Sequence, residues 1–257
     1  GFRMTDCMFG ALAMMLPDKV KAAGDGGNTG VSIGGYDAGR KPFIYVDFTC
    51  GAWGARPWAD GLDGNSHMFA NMASHSVEVT ECEQPIQLLA YEFVADKAGA
   101  GKYRGGVPFR RDYRFLEDEG VLQVRSDRRT HRPFGLYGGS PGMPSENYLD
   151  PEGENRILPS KFTMNIRRGE VFRHVLAGAG GWGDPLERDP AAVLKDVRNE
   201  LLSTGRALSD YGVVIEKNKI DIEKTTKTRQ DIRNARGWRE VPKVQWHDPQ
   251  TLERAAA

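Results

Sequence analysis

Cysteine is scarce in this chain. Its three cysteines, Cys7, Cys50 and Cys82, stand far apart in 257 residues. An odd and scattered set excludes a disulfide framework and fits no zinc-ligand spacing, so a reducing cytoplasm is the expected compartment. Net charge is missing too: 35 Lys and Arg balance 35 Asp and Glu. That balance removes any global pull toward nucleic acid or an anionic membrane. No apolar run approaches the roughly 20 residues that span a bilayer. The apolar start, GFRMTDCMFGALAMMLPDKV, carries Asp6 near its front and no Ala-x-Ala-like site behind. It reads as an amphipathic helix ending before Pro17 rather than as a signal peptide. The first residue is not methionine, and the chain is expected to begin inside something longer.

What the chain has in excess is glycine, 31 residues gathered in short loops. One loop, AGAGGWGDPLERDP, sets Gly178, Gly180 and Gly183 at G-x-G-x-x-G spacing between a β-like run and a helical one. A dinucleotide fingerprint needs its third glycine to run straight into a helix, with an acidic residue about 20 positions on. Here Asp184 to Arg188 intervene, two carboxylates stand where phosphate would lie, and Glu216 comes too late. The preferred reading is a tight turn where backbones approach closely, with Trp182 as a packing anchor.

The rest divides into strands and a helical tail. KPFIYVDFTC reads as a buried strand, and SVEVTE, IQLLAYEFVA, FRRDYRFLE and VLQVRSD as further strands. EDEG is expected to close a hairpin, and KFTMNIRRGEVFRHVLA to form another strand pair. Between them, GAWGARPWADGLDGNSHMFANMASH is a long loop, a form that is usually functional in a compact domain. Asp189 followed by Pro190 is a strong helix start. The segment from Glu216 to Lys243 holds nine Lys/Arg against five Asp/Glu. With no aromatic platform among them, it reads as a solvated or partner-facing helix rather than a nucleic-acid surface. The predicted class is α+β: a strand-dominated mixed core with an N-terminal helix and a C-terminal helical tail. The expected division is a β-rich part over 1–185 and a helical tail over 186–257.

Six blocks in order carry a resemblance: GAWGARPWADGLDG, ANMASHSVEVTE, DKAGAGKYRGGVPFRRDYRFLE, SDRRTHRPFGLYGGSPG, LPSKFTMNIRRGE, and AGAGGWGDPLERDPAAVLKDVRNELLS with DYGVVI after it. Together they cover most of residues 1–215. On these blocks the chain resembles the hydantoinase B/5-oxoprolinase family, in its C-terminal half. The resemblance implies an ATP-dependent system that opens a small cyclic amide such as a hydantoin or 5-oxoproline. It implies a hydantoinase A-type partner subunit that binds ATP and Mg, and a divalent metal held, if anywhere, in the N-terminal half of the family's B chains. The charge balance and the lack of a long apolar run argue for no nucleic acid and no membrane, and no metal ligand is assigned in this chain. Two other readings stay open: an ATP-dependent ketone carboxylase subunit of the same superfamily, and a non-catalytic assembly domain.

Within the long loop, Asp60, Asp63, His67 and Asn71 fall in twelve residues. Asp63 and His67 are four apart and would share a face if the segment were helical. They are the candidate catalytic pair, with His67 suited to general-base work near neutral pH. Asp60, Asn71 and Arg128 are the candidate substrate-binding residues. The alternative is that the aspartates cap turns in ADGLDG. Ser126, Asp127, Arg128 and Arg129 follow a strand. They read as an ion-pair cluster or as arginines forked onto a phosphate or carboxylate. Arg104 is read as partner-facing or as structuring its own turn. Lys161 is read as a surface lysine or a substrate-side cation. His131, His174 and His247 are read as structural.

Overall fold

The computed structural model describes residues 1–237 and 240–245. His247 lies outside them. The strands are β1 (Thr29–Tyr36), β2 (Pro42–Thr49), β3 (Ile86–Phe93), β4 (Phe109–Phe115), β5 (Glu119–Arg125), β6 (Gly135–Leu136), β7 (Glu146–Leu149), β8 (Arg156–Leu158), β9 (Lys161–Arg167) and β10 (Val171–Val175). Besides two short two-stranded pairs, β6 with Val244–Gln245 and Ile215–Glu216 with Lys219–Ile220, two larger antiparallel sheets result, in the orders β2-β1-β5-β9 and β3-β4-β10-β7-β8. Their inner faces share one core, with Val31, Ile33, Leu122, Val124 and Ile166 from the first sheet and Ile86, Tyr113, Phe115 and Phe172 from the second. The alternation of buried and exposed residues along β5 is what a half-buried strand requires.

The helices are α1 (Phe2–Ala13), α2 (Val77–Glu83), α3 (Pro190–Arg198), α4 (Thr204–Tyr211) and α5 (Ile222–Arg236). The α+β class with its N-terminal helix and C-terminal helical segment is the observed one. Asp189 caps α3 by accepting from the Ala191 amide at 2.9 Å. Val193 of α3 and Ala207 and Tyr211 of α4 bury against Ala100.

Four local expectations are corrected. SVEVTE is helix α2, because Ser76 caps it through the Val79 amide. EDEG closes no hairpin: β4 and β5 lie in different sheets, so the turn crosses the sandwich. The strands of KFTMNIRRGEVFRHVLA likewise part, β9 pairing with β5 and β10 with β4 and β7. KPFIYVDFTC is an edge strand with one wet face: Ile44, Val46 and Phe48 are exposed while Tyr45, Asp47 and Thr49 are buried. Its buried Asp47 ties the sheets together, accepting from Arg111 and, at 2.7 Å, from the Tyr113 hydroxyl of β4. A second tie is His174 on β10. Its ring bonds Asn147 at 2.7 Å and Thr29 at 3.0 Å, and burial pushes its pKa down to about 4.

The glycine loops form a layer of their own. Ala55 N–H donates to Gly180 O, Gly180 N–H to Ala23 O, and Gly181 N–H to Ser140 O. These segments touch backbone to backbone. A Cβ on Gly180 would lie 2.0 Å from the carbonyl oxygen of Phe134. The G-x-G-x-x-G at Gly178, Gly180 and Gly183 is therefore a packing device, and Trp182 rests against Tyr103 and Tyr137.

Candidate functional site

The long loop at 51–75 enters two arrangements, and each takes one of the two catalytic candidates. The first is an alternating ionic network. Arg104 grips Asp63 with Nη1 at 2.7 Å and Nη2 at 3.0 Å, and reaches Asp196 through Nε at 3.1 Å. Arg188 reaches the other oxygen of Asp196 at 2.8 Å and grips Asp60 at 2.6 and 2.8 Å. Backbone amides complete the acids, Val107 N–H donating to Asp63 at 2.7 Å and Arg104 N–H to Asp60 at 2.9 Å. Burial alone would push the Asp60 carboxyl up, but the Arg188 guanidinium reverses this and holds it below its ordinary value. Every carboxylate here is spent on structure. The network ties the loop to α3, and Arg104 structures the turn beside it.

The second arrangement is a buried cluster of mixed charge beneath α1. Helix α1 turns Phe2, Arg3 and Asp6 toward the core and leaves Met4 and Met8 in solvent. His67 is 3% exposed. Its ring packs at a tilt against Phe2 with centroids 4.5 Å apart, and its Nδ1 accepts from the Phe69 amide at 3.4 Å. Its Nε2 is buried and makes no hydrogen bond among the described residues. Asn28 holds the His67 amide at 3.4 Å. The segment around His67 is a run of turns rather than a helix. Asp63 and His67 therefore share no face. Asp63 enters the network, and His67 enters the cluster.

Three cations surround His67 electrostatically. Burial is the largest cause holding its pKa below the ordinary histidine value; Lys21, Arg3 and Arg128 add to that, against Asp6. Lys21 is 8% exposed, its ammonium 5.4 Å from the Trp53 ring centroid, and burial holds its pKa low. Arg128 donates to Asp6, while its Nε stays buried and unpaired. Arg3 donates to the Asp25 carbonyl at 3.4 Å and pairs with Asp127 at 2.8 Å. Asp25 is 4% exposed, its Oδ2 has no hydrogen-bond partner among the described residues, and burial pushes its pKa up to about 7. The turn after it needs glycine: Gly26 has φ +84°, and a Cβ there would sit 1.3 Å from Arg3 Nη1.

Two cavities are lined by both Arg3 and Arg128. One, of about 450 Å³, runs along α1 past Cys7, Gly10 and Met14. The other, of about 210 Å³, lies at the strand ends around Ser126–His131 and Ser160–Lys161. A larger cavity of about 680 Å³ lies between the β1–β2 turn and the β4–β5 connection, away from all the candidate residues. Asn71 is exposed in a turn at φ +46°. His131 is also exposed. Among the described residues, no three His, Cys, Asp or Glu side chains are grouped to hold a metal ion. Sequence reasoning missed Lys21 and Asp25. The available signal was two charges inside the small-residue run KAAGDGG, a composition suited to burial.

Hydantoinase B/oxoprolinase matches residues 1–185. An uncharacterized protein of Methanocaldococcus jannaschii is 36% identical over 88% of this chain and 40% of its own length. The caprolactamase subunit beta of Pseudomonas jessenii is 30% identical over 84% of this chain and 39% of its own. The crystal structure of the ATP-dependent caprolactamase from that organism superposes with a TM-score of 0.76 at 25% identity, covering 86% of this chain and 40% of that one. The chain thus spans about 40% of the length of these relatives. On the family match and these relatives, the chain belongs to the hydantoinase B/oxoprolinase family.

Proposed function

We propose that this chain is part of an ATP-dependent hydrolase of small cyclic amides, working with a hydantoinase A-type subunit that binds ATP and Mg. The observation that carries the reading is the state of His67: buried, neutral by its lowered pKa, with Nε2 unspent beside three cations. An unstrained amide is a poor electrophile. Phosphorylation of its oxygen at the partner's ATP site makes the ring carbon attackable. His67 Nε2 takes a proton from water as the water adds to that carbon. The ring C–N bond then breaks, and the nitrogen leaves with that proton. The acyl phosphate that remains is hydrolysed by a second water to a carboxylate and inorganic phosphate. A dry, closed site keeps the phosphorylated species from premature hydrolysis.

In this reading Asp60 and Asp63 position the loop through Arg104 and Arg188 rather than touching substrate. Arg128 meets the anionic group of the intermediate. Asn71 meets the substrate from the exposed side. The test is ADP release by the complete assembly on hydantoins, 5-oxoproline and small lactams, with and without bicarbonate. Ring-opened product matched to ADP supports hydrolysis. A bicarbonate requirement with a carboxylated ketone product would move the chain to the carboxylase reading. Full activity after His67→Ala and Asp63→Ala would make it an assembly domain.

A further inference from the structure

We propose that the 210 Å³ cavity at the ends of β5 and β9 is a binding site for a phosphate-type oxyanion. The cavity is lined by four cationic side chains, Arg3, Arg128, Arg129 and Lys161, against one carboxylate, Asp127. Asp127 forms an ion pair with Arg3 at 2.8 Å and accepts from Lys161 at 3.1 Å, which steadies both cations at the rim. Arg129 is half-buried, yet makes no hydrogen bond and no ion pair among the described residues. A guanidinium held in a cavity with its donors unspent is a fork awaiting an oxyanion. Behind it, the Arg128 side chain is 10% exposed with Nε buried and unpaired.

The backbone adds to the same chemistry. From Asp127 to His131 no amide N–H donates a hydrogen bond among the described residues. Arg128 sits in the left-handed region at φ +62°, and such a loop is the kind of backbone that forms anion-binding concavities. Its carbonyls are tied down instead: Ser145 Oγ donates to Asp127 O, and Ser145 N–H donates to Arg128 O at 3.3 Å. The loop is therefore fixed through its acceptors, while its donors stay free. The volume lies below the roughly 300 Å³ where pockets for drug-sized ligands begin, which suits a single anionic group. The surplus of cations favours a dianion over a carboxylate.

The assignment of this anion as the phosphoryl group of an activated amide, or the phosphate released from it, rests on the ring-opening reading. The binding site itself does not. The experiment has two arms. In the first, the purified chain is titrated with inorganic phosphate and with acetate, followed by amide NMR shifts and calorimetry. Saturable shifts at residues 127–131 are expected, with phosphate tighter than acetate. Arg129→Gln should weaken phosphate binding about tenfold, since one bidentate charge-assisted contact is lost. Arg168→Gln, at an exposed arginine paired with Asp118 and Glu117, should leave it unchanged. Absence of saturable shifts at 127–131, or equal loss from both variants, would overturn the site. Arg129 makes no hydrogen bond and no ion pair among the described residues, so its loss should leave the fold intact. In the second arm, product phosphate inhibition of the complete assembly should weaken about tenfold in Arg129→Gln. Phosphate binding to the chain without ring opening by the assembly would keep the site and remove only its role.

Discussion

Arg104 and Arg188 share a single carboxylate. Nε of Arg104 lies 3.1 Å from Oδ1 of Asp196, and Nη2 of Arg188 lies 2.8 Å from Oδ2. Both guanidiniums also grip an aspartate of the long loop, Asp63 and Asp60. One residue of α3 therefore joins two pairs into a chain of five charges. Asp196→Ala leaves two buried guanidiniums short of an acceptor and should cost roughly 3–5 kcal/mol in urea unfolding. Asp118→Ala, at an exposed acid paired with Arg168, should cost less than about 1 kcal/mol. Equal costs would show that the network carries no special share of the stability.

The glycine layer makes a second prediction. Gly180→Ala drives a Cβ to 2.0 Å from a backbone oxygen in a neighbouring segment, which cannot swing away. It should cost roughly 3 kcal/mol or more, or prevent folding. Gly169 has φ +88° and open space around its Cβ position. Gly169→Ala should therefore cost only the backbone strain, about 1–2 kcal/mol. Thermal denaturation of both separates close packing from conformational strain.

How much of this was legible differs by element. β5 and α5 follow from local pattern. α2 does not, because VEVTE alternates like a strand and only the Ser76 cap shows the helix. β1 is hidden by its glycines, and its place in the sheet comes from pairing with β2 and β5. Asp60, Asp63 and His67 stand out as a group in the sequence, yet their separation into two arrangements depends on distant partners. Arg188 is 128 positions from Asp60. No spacing rule reaches that far. The burial of Lys21 and Asp25 is likewise decided by α1 lying over them.

Asp25 makes stability depend on pH in an unusual direction. Its folded pKa of about 7 stands above the unfolded value near 3.8. Between those values the folded chain keeps a proton that the unfolded chain has lost, so stability falls as pH rises through the window. Asp25→Asn removes this dependence. Relative to wild type, the variant should gain roughly 2–4 kcal/mol on going from pH 4 to pH 8. Parallel stability curves for the two proteins would contradict the burial of this carboxyl as an unpaired acid.

For the chemistry, His67→Gln should lower kcat of ring opening by roughly 10²–10⁴-fold, the usual range for a lost general base. Wild-type kcat/KM should fall on the acid side at a pH below the ordinary histidine value, because burial holds the His67 pKa low. Its loss should abolish that acid limb. Asp63→Asn should act mainly on stability, through Arg104.

The most direct test of the account is the ratio of ring-opened product to ADP made by the complete assembly containing this chain and an A-type subunit, measured without bicarbonate. The account predicts product and ADP in equal amounts on at least one hydantoin, 5-oxoproline or lactam, with both lost together in His67→Gln. ADP release that requires bicarbonate, or ring opening that survives His67→Gln undiminished, would contradict it.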